Sequence, residues 1–514
     1  MFLIPTNEVE VIDTLRGMPN KGNSLIDIKP SILLLISDIL GKVVSYLYNL
    51  SVINGTYPSL LKISRVLPVF KSGDVSSIGN YRPITNLLNI NKIFELLTYK
   101  RILKFIERFN LLSNFQYGFR KARNTTQAIF RLTNDMLNTF HNKHYTVALF
   151  LDLSKAFDTI NREILVHKLA IYGFRGVTNE FLSSYLSERM QYVNIDNFKS
   201  STELINHGVP QGSVLGPLLF NLYINDIVNV GDAKKILFAD DAVFYVTERS
   251  LEMCIVKIKQ LIKELTEWLK NNKLVANVKK TKLMMITPRP CNDLPHIYFN
   301  GTKLEWVSSI KYLGVVIDNK LSFVPHATEV FTKISKMQGI FYSLSSLVPK
   351  STLVTIYHSL VYPCITQNLL IWGGISTVNL KNIKTAMNNI LRCILKIKRD
   401  QNNVPLVSVN TMYKSLNFLQ FDDIYRYTLL KFLHLVLYKN VELFNEYYAP
   451  LLPTHRYNTR NIRINLPVVR LEVERHFALF QSCKLLNELP GELLDLQSDN
   501  TLKLKFRRFA VSQY

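Results

Sequence analysis

The chain has 514 residues, and its 62 lysines and arginines against 39 aspartates and glutamates give a formal net charge of +23. An apolar fraction of 47% with 11% aromatics excludes a disordered or low-complexity protein. The length is enough for roughly two to four domains, and the positive charge predicts a polyanionic partner, most simply nucleic acid. The five cysteines are widely spaced without a C-x-x-C pair, which argues against a zinc finger and a disulfide framework.

No secretory signal and no membrane span are predicted. The first ten residues lack a basic segment followed by a long apolar run. The most apolar early stretch, residues 32–50, is interrupted by Asp38 and Lys42, which is typical of an amphipathic core helix. We therefore expect a soluble intracellular protein that is not secreted, with nucleus and cytoplasm both open.

Helices and short strands alternate in the first two thirds of the predicted elements, and helices dominate the last third. In chain order the pattern predicts a helical N-terminal 50 residues, a strand at 65–70, a helix at 87–109, strands at 147–153 and 236–245, a helix at 251–269, strands at 283–286 and 312–318, and mostly helix beyond 320.

Carboxylates interrupt two of these apolar strands. Asp152 ends the run VALFLD, and Asp240 and Asp241 lie within ILFADDAVF. A charged group in such a strand is costly unless it lies at an edge, is paired or binds a metal. A cap or turn residue is the alternative interpretation of each aspartate taken alone. A tight turn over residues 239–242 would place Asp240 beside Asp152.

The chemistry of these side chains favours particular metals. Carboxylate oxygens without a neighbouring cluster of histidine or cysteine suit Mg²⁺ or Mn²⁺ rather than zinc. Two such ions about 3.5–4 Å apart activate an attacking oxygen and stabilise a leaving one in displacement at phosphorus. Together with the basic charge, this predicts phosphoryl transfer on nucleic acid.

Seven motifs in order resemble those of the reverse transcriptases of non-LTR (LINE-type, jockey- or CR1-like) retrotransposons. They are NYRPIT (80–85) with KIFE (92–95), QYGFRKARNTTQAI (116–129), FLDLSKAFDTI (150–160), VPQGSVLGPLLFNLYINDI (209–227), LFADDAVF (237–244), Asn277 with Lys280 and Thr281, and KYLGVVID (311–318).

The resemblance implies an α+β right-hand polymerase with fingers, an antiparallel-sheet palm and a mainly helical thumb and C-terminal region. Residues 1–50 are expected to be an N-terminal helical extension of the fingers, residues 51–321 the fingers and palm, and residues 322–514 the thumb and helical C-terminal region.

The resemblance also implies the catalytic residues. Asp152 and Asp240 would bind both Mg²⁺ or Mn²⁺ ions, and Asp241 would be an accessory acid and metal ligand. Lys280 would give a proton to departing pyrophosphate, and an exposed phosphate-binding lysine is the alternative interpretation.

Four further residues are expected at the nucleotide. Phe157 would exclude a ribose 2′-OH by its bulk, and an ordinary core phenylalanine is its alternative interpretation. Arg120 would bind the triphosphate through its guanidinium fork, and a solvated basic face is the alternative interpretation. Gln211 would lie near nucleotide and template, where Gly212 lets the backbone come close to a base.

The expected function is RNA-directed DNA polymerisation, with an RNA template, a DNA primer or target, deoxynucleoside triphosphates and two divalent ions. Three alternatives stay open: an inactive nucleic-acid-binding remnant of such an element, a group II intron-type reverse transcriptase, and an RNA-templated RNA polymerase. Phe157 and the run FADD (238–241) disfavour the last of these.

Relative to a full retrotransposon protein, the sequence has no upstream endonuclease domain and no zinc knuckle. We therefore expect a fragment, a truncated copy or one piece of a larger product that supplies the endonuclease. The aromatic and basic segment at 455–463 is expected either to contact nucleic acid or to form an ordinary basic loop.

Overall fold

A computed structural model describes residues 1–20, 28–195, 198–289, 293–397, 407–439, 441–452, 464–469, 472–488 and 499–514. The segment 455–463, for which a nucleic-acid contact is predicted, lies outside these residues.

Strands and helices alternate up to residue 318, and the described chain beyond it is helical. The strands are β1 (Ile63–Phe70), β2 (Tyr81–Asn86), β3 (Tyr145–Leu151), β4 (Arg189–Ile195), β5 (Phe198–Lys199), β6 (Glu203–Ile205), β7 (Lys234–Phe238), β8 (Asp241–Glu248), β9 (Lys282–Ile286), β10 (Tyr298–Phe299), β11 (Thr302–Lys303), β12 (Glu305–Trp306), β13 (Ser309–Tyr312) and β14 (Val315–Asp318).

The helices include the two predicted at 87–109 and 251–269, each confirmed to within two residues. They are α1 (Glu8–Arg16), α2 (Pro30–Leu35), α3 (Ser37–Ile53), α4 (Asn89–Arg108), α5 (Thr125–Asn142), α6 (Arg162–Ile171), α7 (Val177–Leu186), α8 (Gly216–Ile224), α9 (Leu251–Asn271), α10 (Val324–Leu344), α11 (Lys350–Ile356), α12 (Tyr362–Thr366), α13 (Leu369–Trp372), α14 (Thr377–Leu395), α15 (Val409–Leu416), α16 (Phe421–Lys439), α17 (Val441–Leu443), α18 (Ala478–Glu488) and α19 (Asp499–Ser512).

The central sheet has the strand order β12-β9-β3-β8-β7. Its pairs are antiparallel except for the short parallel pair of β12 and β9. A second sheet pairs β1 with β2 in an antiparallel hairpin and with β4 in parallel. The α+β right-hand polymerase fold, with an antiparallel-sheet palm followed by helices, is thereby confirmed.

The palm sheet separates two hydrophobic cores. Val147, Leu149 and Leu151 of β3 face a core made with the N-terminal helices, α4 and α6 to α9. Ala148 and Phe150 of the same strand face a core made with α5 and the helices beyond residue 324. This alternation follows from the two-residue period of a strand. Each face of the sheet therefore packs against a different set of helices.

The predicted strand over residues 312–318 is wrong in one respect. The chain forms a hairpin there, because Leu313 and Gly314 both adopt positive φ angles of 46° and 86° and reverse its direction between β13 and β14. This hairpin shares its core with α5 and the later helices. The division of the chain at residues 50 and 321 stays a prediction.

Within the described residues, no helix is both long and apolar enough to cross a membrane.

Candidate active site

Two acids lie at the tip of the hairpin formed by β7 and β8, which we call the acid hairpin. Phe238 pairs with Asp241, so Ala239 and Asp240 form a two-residue turn. The turn thus lies one residue earlier than the sequence predicts. Ala239 adopts a positive φ of 56°, a strained conformation for a residue with a side chain, and the surrounding structure must hold it.

The loop of residues 113–123 holds this turn. The Gln116 side-chain oxygen accepts hydrogen bonds from the Gly118 amide at 2.8 Å and from the Ala239 amide at 3.1 Å. The Tyr117 amide donates to the Leu237 carbonyl at 2.8 Å. A Cβ on Gly118 would lie 2.3 Å from the Ala239 nitrogen, so only glycine allows this approach. Sequence reasoning gave Gln116 and Gly118 no role beyond membership of a motif.

Asp152 directly follows β3 and lies next to the acid hairpin. Leu151 pairs with Ala242, and continuing this antiparallel register by one residue places Asp152 opposite Asp241. The Asp152 carbonyl accepts a hydrogen bond from the Asn277 amide at 2.8 Å. Lys280 Nζ lies 3.9 Å from Asp152 Oδ2, with more than half of the lysine side chain exposed. The structure thus brings together Asp152, Asp241 and Lys280.

The charges of the three acids act on one another. Burial, together with the charges of Asp240 and Asp152, raises the pKa of Asp241 to about 6. Burial and the charge of Asp152 also raise the pKa of Asp240, while the positive charges of Arg82 and Lys71 lower it. Sequence reasoning missed Lys71 and Arg82, although Arg82 lies within the quoted motif NYRPIT.

The oxygen donors of this site fit hard divalent cations. Asp152, Asp240 and Asp241 contribute carboxylates whose mutual repulsion a cation would relieve. Within the described part of the chain, no three histidine, cysteine, aspartate or glutamate side chains form a ready-made metal cluster. The fit to Mg²⁺ or Mn²⁺ therefore rests on the chemistry of the donors.

Phe157 lies in a row of three aromatic rings. Its ring stacks on Phe220 with centroids 4.4 Å apart and planes at 21°. Its other neighbour, Phe119, meets it edge-on at 6.1 Å and is 52% exposed. Phe157 itself is half-buried. Packing on Phe220 fixes the ring, so its position is set before any nucleotide binds.

Gln211 and Gly212 join the palm to the β1–β2 hairpin. The Gln211 carbonyl accepts a hydrogen bond from the Thr85 amide at 2.7 Å, and its side-chain nitrogen donates to Asp158 Oδ1 at 2.7 Å. Gly212 has a φ of 111°, and a Cβ there would lie 2.6 Å from the Thr85 carbonyl oxygen. Asp158 therefore orients Gln211, and Gly212 permits the close contact with β2.

Glu95 is a buried acid behind this segment. It accepts hydrogen bonds from the Val214 amide at 2.6 Å and the Tyr185 hydroxyl at 2.8 Å. Burial raises its pKa, and the charge of the buried Arg189 opposes that shift. Glu95 thus anchors the chain just before α8, where a negative charge is favourable. Glu95 is the last residue of the quoted motif KIFE, but no separate role was predicted for it.

Arg120 points towards its own loop. Its Nη1 atom donates to the Ser113 carbonyl at 2.6 Å and to the Gln116 carbonyl at 3.4 Å. Burial and the neighbouring charge of Arg123 lower its pKa to about 10. The predicted role of Arg120 at the triphosphate stays a prediction, while Arg82 and Lys71 are the cations that act on Asp240.

Comparison with known families identifies the class of protein. Residues 69–317 match the family model described as "Reverse transcriptase (RNA-dependent DNA polymerase)". This range contains the acid hairpin, Asp152 and the β1–β2 contact with Gln211. These residues are therefore similar to those of reverse transcriptases.

The particular relatives are proteins of mobile elements. The RNA-directed DNA polymerase from mobile element jockey of Drosophila melanogaster is 29% identical over 358 residues, covering 66% of this chain and 38% of the relative. The probable RNA-directed DNA polymerase from transposon BS of the same organism is 28% identical over 409 residues, covering 76% of this chain and 44% of the relative. The resemblance to non-LTR retrotransposon reverse transcriptases is thereby confirmed. The chain spans less than half the length of these curated relatives.

One solved structure gives a more distant likeness. Apo telomerase from Candida tropicalis, truncated from the C-terminal domain, covers 50% of this chain and 54% of its own, with 14% sequence identity and a TM-score of 0.36.

Proposed function

We propose that the chain is an RNA-directed DNA polymerase that extends a DNA primer on an RNA template by two-metal nucleotidyl transfer. The observation that carries the proposal is the meeting of Asp152 with the acid hairpin, close enough for their charges to raise the pKa of Asp241. The template, primer and deoxynucleoside triphosphates are substrates of this proposal, and the net charge of +23 suits them.

Asp152 and Asp240 are the proposed ligands of two Mg²⁺ or Mn²⁺ ions, with Asp241 as the accessory acid. When bound, such ions activate the primer 3′-OH and stabilise the leaving pyrophosphate. Lys280, 3.9 Å from Asp152, is placed to bind that phosphate or to donate a proton to it.

The incoming nucleotide is proposed to lie between the palm and the β1–β2 hairpin. Arg82 and Lys71, both exposed, bind its triphosphate, because their charges already act on the acid hairpin. Phe157, fixed by Phe220, excludes a 2′-OH. Gln211, held by Asp158, contacts the base or the template.

The proposal fits a longer product in which another segment supplies an endonuclease, so that the primer is the cut target DNA. It assigns no cleavage to the residues described above.

The test is primer extension by the purified chain with poly(rA) annealed to oligo(dT), dTTP and Mg²⁺. Asp240→Asn keeps the size of the side chain and removes its charge. We expect extension to fall at least about a thousandfold, because the ligand contributes roughly 4 kcal/mol or more to the transition state. EDTA should abolish the wild-type reaction, and Mg²⁺ or Mn²⁺ should restore it.

Asp232→Asn is the matched control, because Asp232 precedes the same hairpin with its side chain 97% exposed. It should extend primers like the wild type. Binding of the duplex without any extension, under varied metals, would instead support an inactive remnant. Equal use of UTP and dTTP would support an RNA-templated RNA polymerase.

A further inference from the structure

Two glutamates of the C-terminal region pair with Arg123 of the 113–123 loop and with Arg131 of α5. Glu442 lies 3.0 Å from Arg123 and 3.4 Å from Arg131, and Glu446 lies 3.1 Å from Arg131. Both arginine side chains are only 14% exposed, so solvent screens these pairs less than surface pairs. Glu442 is separated from Arg123 by 319 residues in sequence.

Both arginines contact the same tyrosine, Tyr117. The Arg123 guanidinium lies over the Tyr117 ring, 5.1 Å from its centroid. Arg131 Nη1 donates to the Tyr117 hydroxyl at 3.4 Å. Tyr117 is itself buried and donates its amide to the Leu237 carbonyl of the acid hairpin at 2.8 Å. The contacts that start at Glu442 therefore reach Leu237, which lies three residues before Asp240.

Apolar packing holds the same region in place. The Phe130 ring of α5 meets Phe432 of α16 at 4.7 Å and Tyr447 at 5.4 Å. The C-terminal region is thus docked on α5 independently of the ion pairs. The glutamates are presented to Arg123 and Arg131 by this packing, so removing one charge need not undock the region.

We propose that Glu442 is a positioning residue: through Arg123, Arg131 and Tyr117 it fixes the acid hairpin, and thereby makes the C-terminal region part of the polymerase site. The kinetic part of this inference rests on the proposed function. Its structural part, the coupling of Glu442 to the hairpin, does not.

The structural test is hydrogen–deuterium exchange of the full chain, read by mass spectrometry, with Glu442→Gln. This change keeps the shape and removes the charge. We expect peptides covering residues 113–123 and 237–241 to exchange at least about threefold faster, because the amides of Tyr117 and Ala239 are protected by this contact. Asp422→Asn is the matched control, since Asp422 on α16 pairs with Lys384 at 2.8 Å, away from the loop.

The kinetic test is single-nucleotide incorporation by the same variants. Glu442→Gln should lower kcat by about tenfold and change the KM for dTTP less than about twofold, because a displaced acid affects chemistry more than nucleotide binding. Arg123→Gln should have a similar effect, and the double variant should lose little more than either single variant. Glu442→Asp, which retains the charge, should recover part of kcat.

Unchanged exchange at 113–123 and 237–241 in folded Glu442→Gln would overturn the inference. So would equal losses in Asp422→Asn, or fully additive losses in the double variant. A wild type that fails to extend primers while Glu442→Gln still speeds exchange would contradict the proposed function alone.

Discussion

Two basic segments flank the acid hairpin and use their charges differently. In the 113–123 loop, Arg120 donates to carbonyls of its own loop and Arg123 pairs with Glu442. In the β1–β2 hairpin, Lys71 and Arg82 are exposed, and their charges oppose the rise in the pKa of Asp240 that burial causes. The arginines of the loop are therefore bonded within the protein, whereas the cations of the hairpin are exposed next to the site.

The difference lies in what each backbone contacts. Gly118 of the loop packs against the Ala239 backbone, so this part of the loop cannot move without the acid hairpin. The β1–β2 hairpin instead meets the palm at its far end, where Thr85 bonds to Gln211. A basic side chain that is hydrogen-bonded within the protein stabilises the fold, whereas an exposed basic side chain near acids can bind a phosphate.

Among substitutions in these two basic segments, Gly118→Ala has the largest expected effect. The new Cβ would lie 2.3 Å from the Ala239 nitrogen, so loop and turn must separate. We expect primer extension to fall by about a hundredfold or more, since a displacement of about 1 Å at reacting groups has that effect. Steady-state extension at matched folded protein, checked by circular dichroism, measures it.

Gly79→Ala is the control on the other segment, because its added Cβ would meet only the Ser77 hydroxyl, at 3.9 Å. Its extension rate should stay within about twofold of the wild type. If both substitutions had the same effect, the contrast between a fixed loop and an accessible hairpin would fail.

A smaller effect is expected from Arg82→Gln. Loss of a charge-assisted hydrogen bond to phosphate costs about 1.5–3 kcal/mol, so the KM for dTTP should rise roughly tenfold to a hundredfold. The melting temperature should hardly change, because Arg82 is exposed. Steady-state single-nucleotide incorporation over a range of dTTP concentrations measures this KM. A KM equal to that of the wild type would remove Arg82 from the triphosphate site.

The sequence predicts the elements whose signals are local. Asp152 and Asp240 are identifiable because each lies at the end of or within an apolar run. The apolar run itself predicts β3, and helical patterns predict the long helices α4 and α9. The turn of the acid hairpin was misplaced by one residue because Gln116, 123 residues away, holds the Ala239 amide. No local pattern carries that information.

Side-chain partners distant in sequence could not be predicted either. Glu95 accepts a hydrogen bond from the amide of Val214, 119 residues further on, and Glu442 pairs with Arg123 across a separation of 319 residues. The predicted role of Arg120 rested on its residue type, since guanidinium forks bind phosphate. Whether such a fork is free depends on tertiary contacts that spacing alone does not specify.

The smallest expected effect, from Arg120→Gln, separates the two segments most finely. Because its guanidinium donates to the Ser113 and Gln116 carbonyls, its loss should lower the free energy of unfolding by about 1–2 kcal/mol in urea titrations. The KM for dTTP should change less than about twofold, in contrast to Arg82→Gln. A raised KM for dTTP with an unaltered free energy of unfolding would instead support binding of the triphosphate by Arg120. The loop would then both stabilise the acid hairpin and bind the substrate.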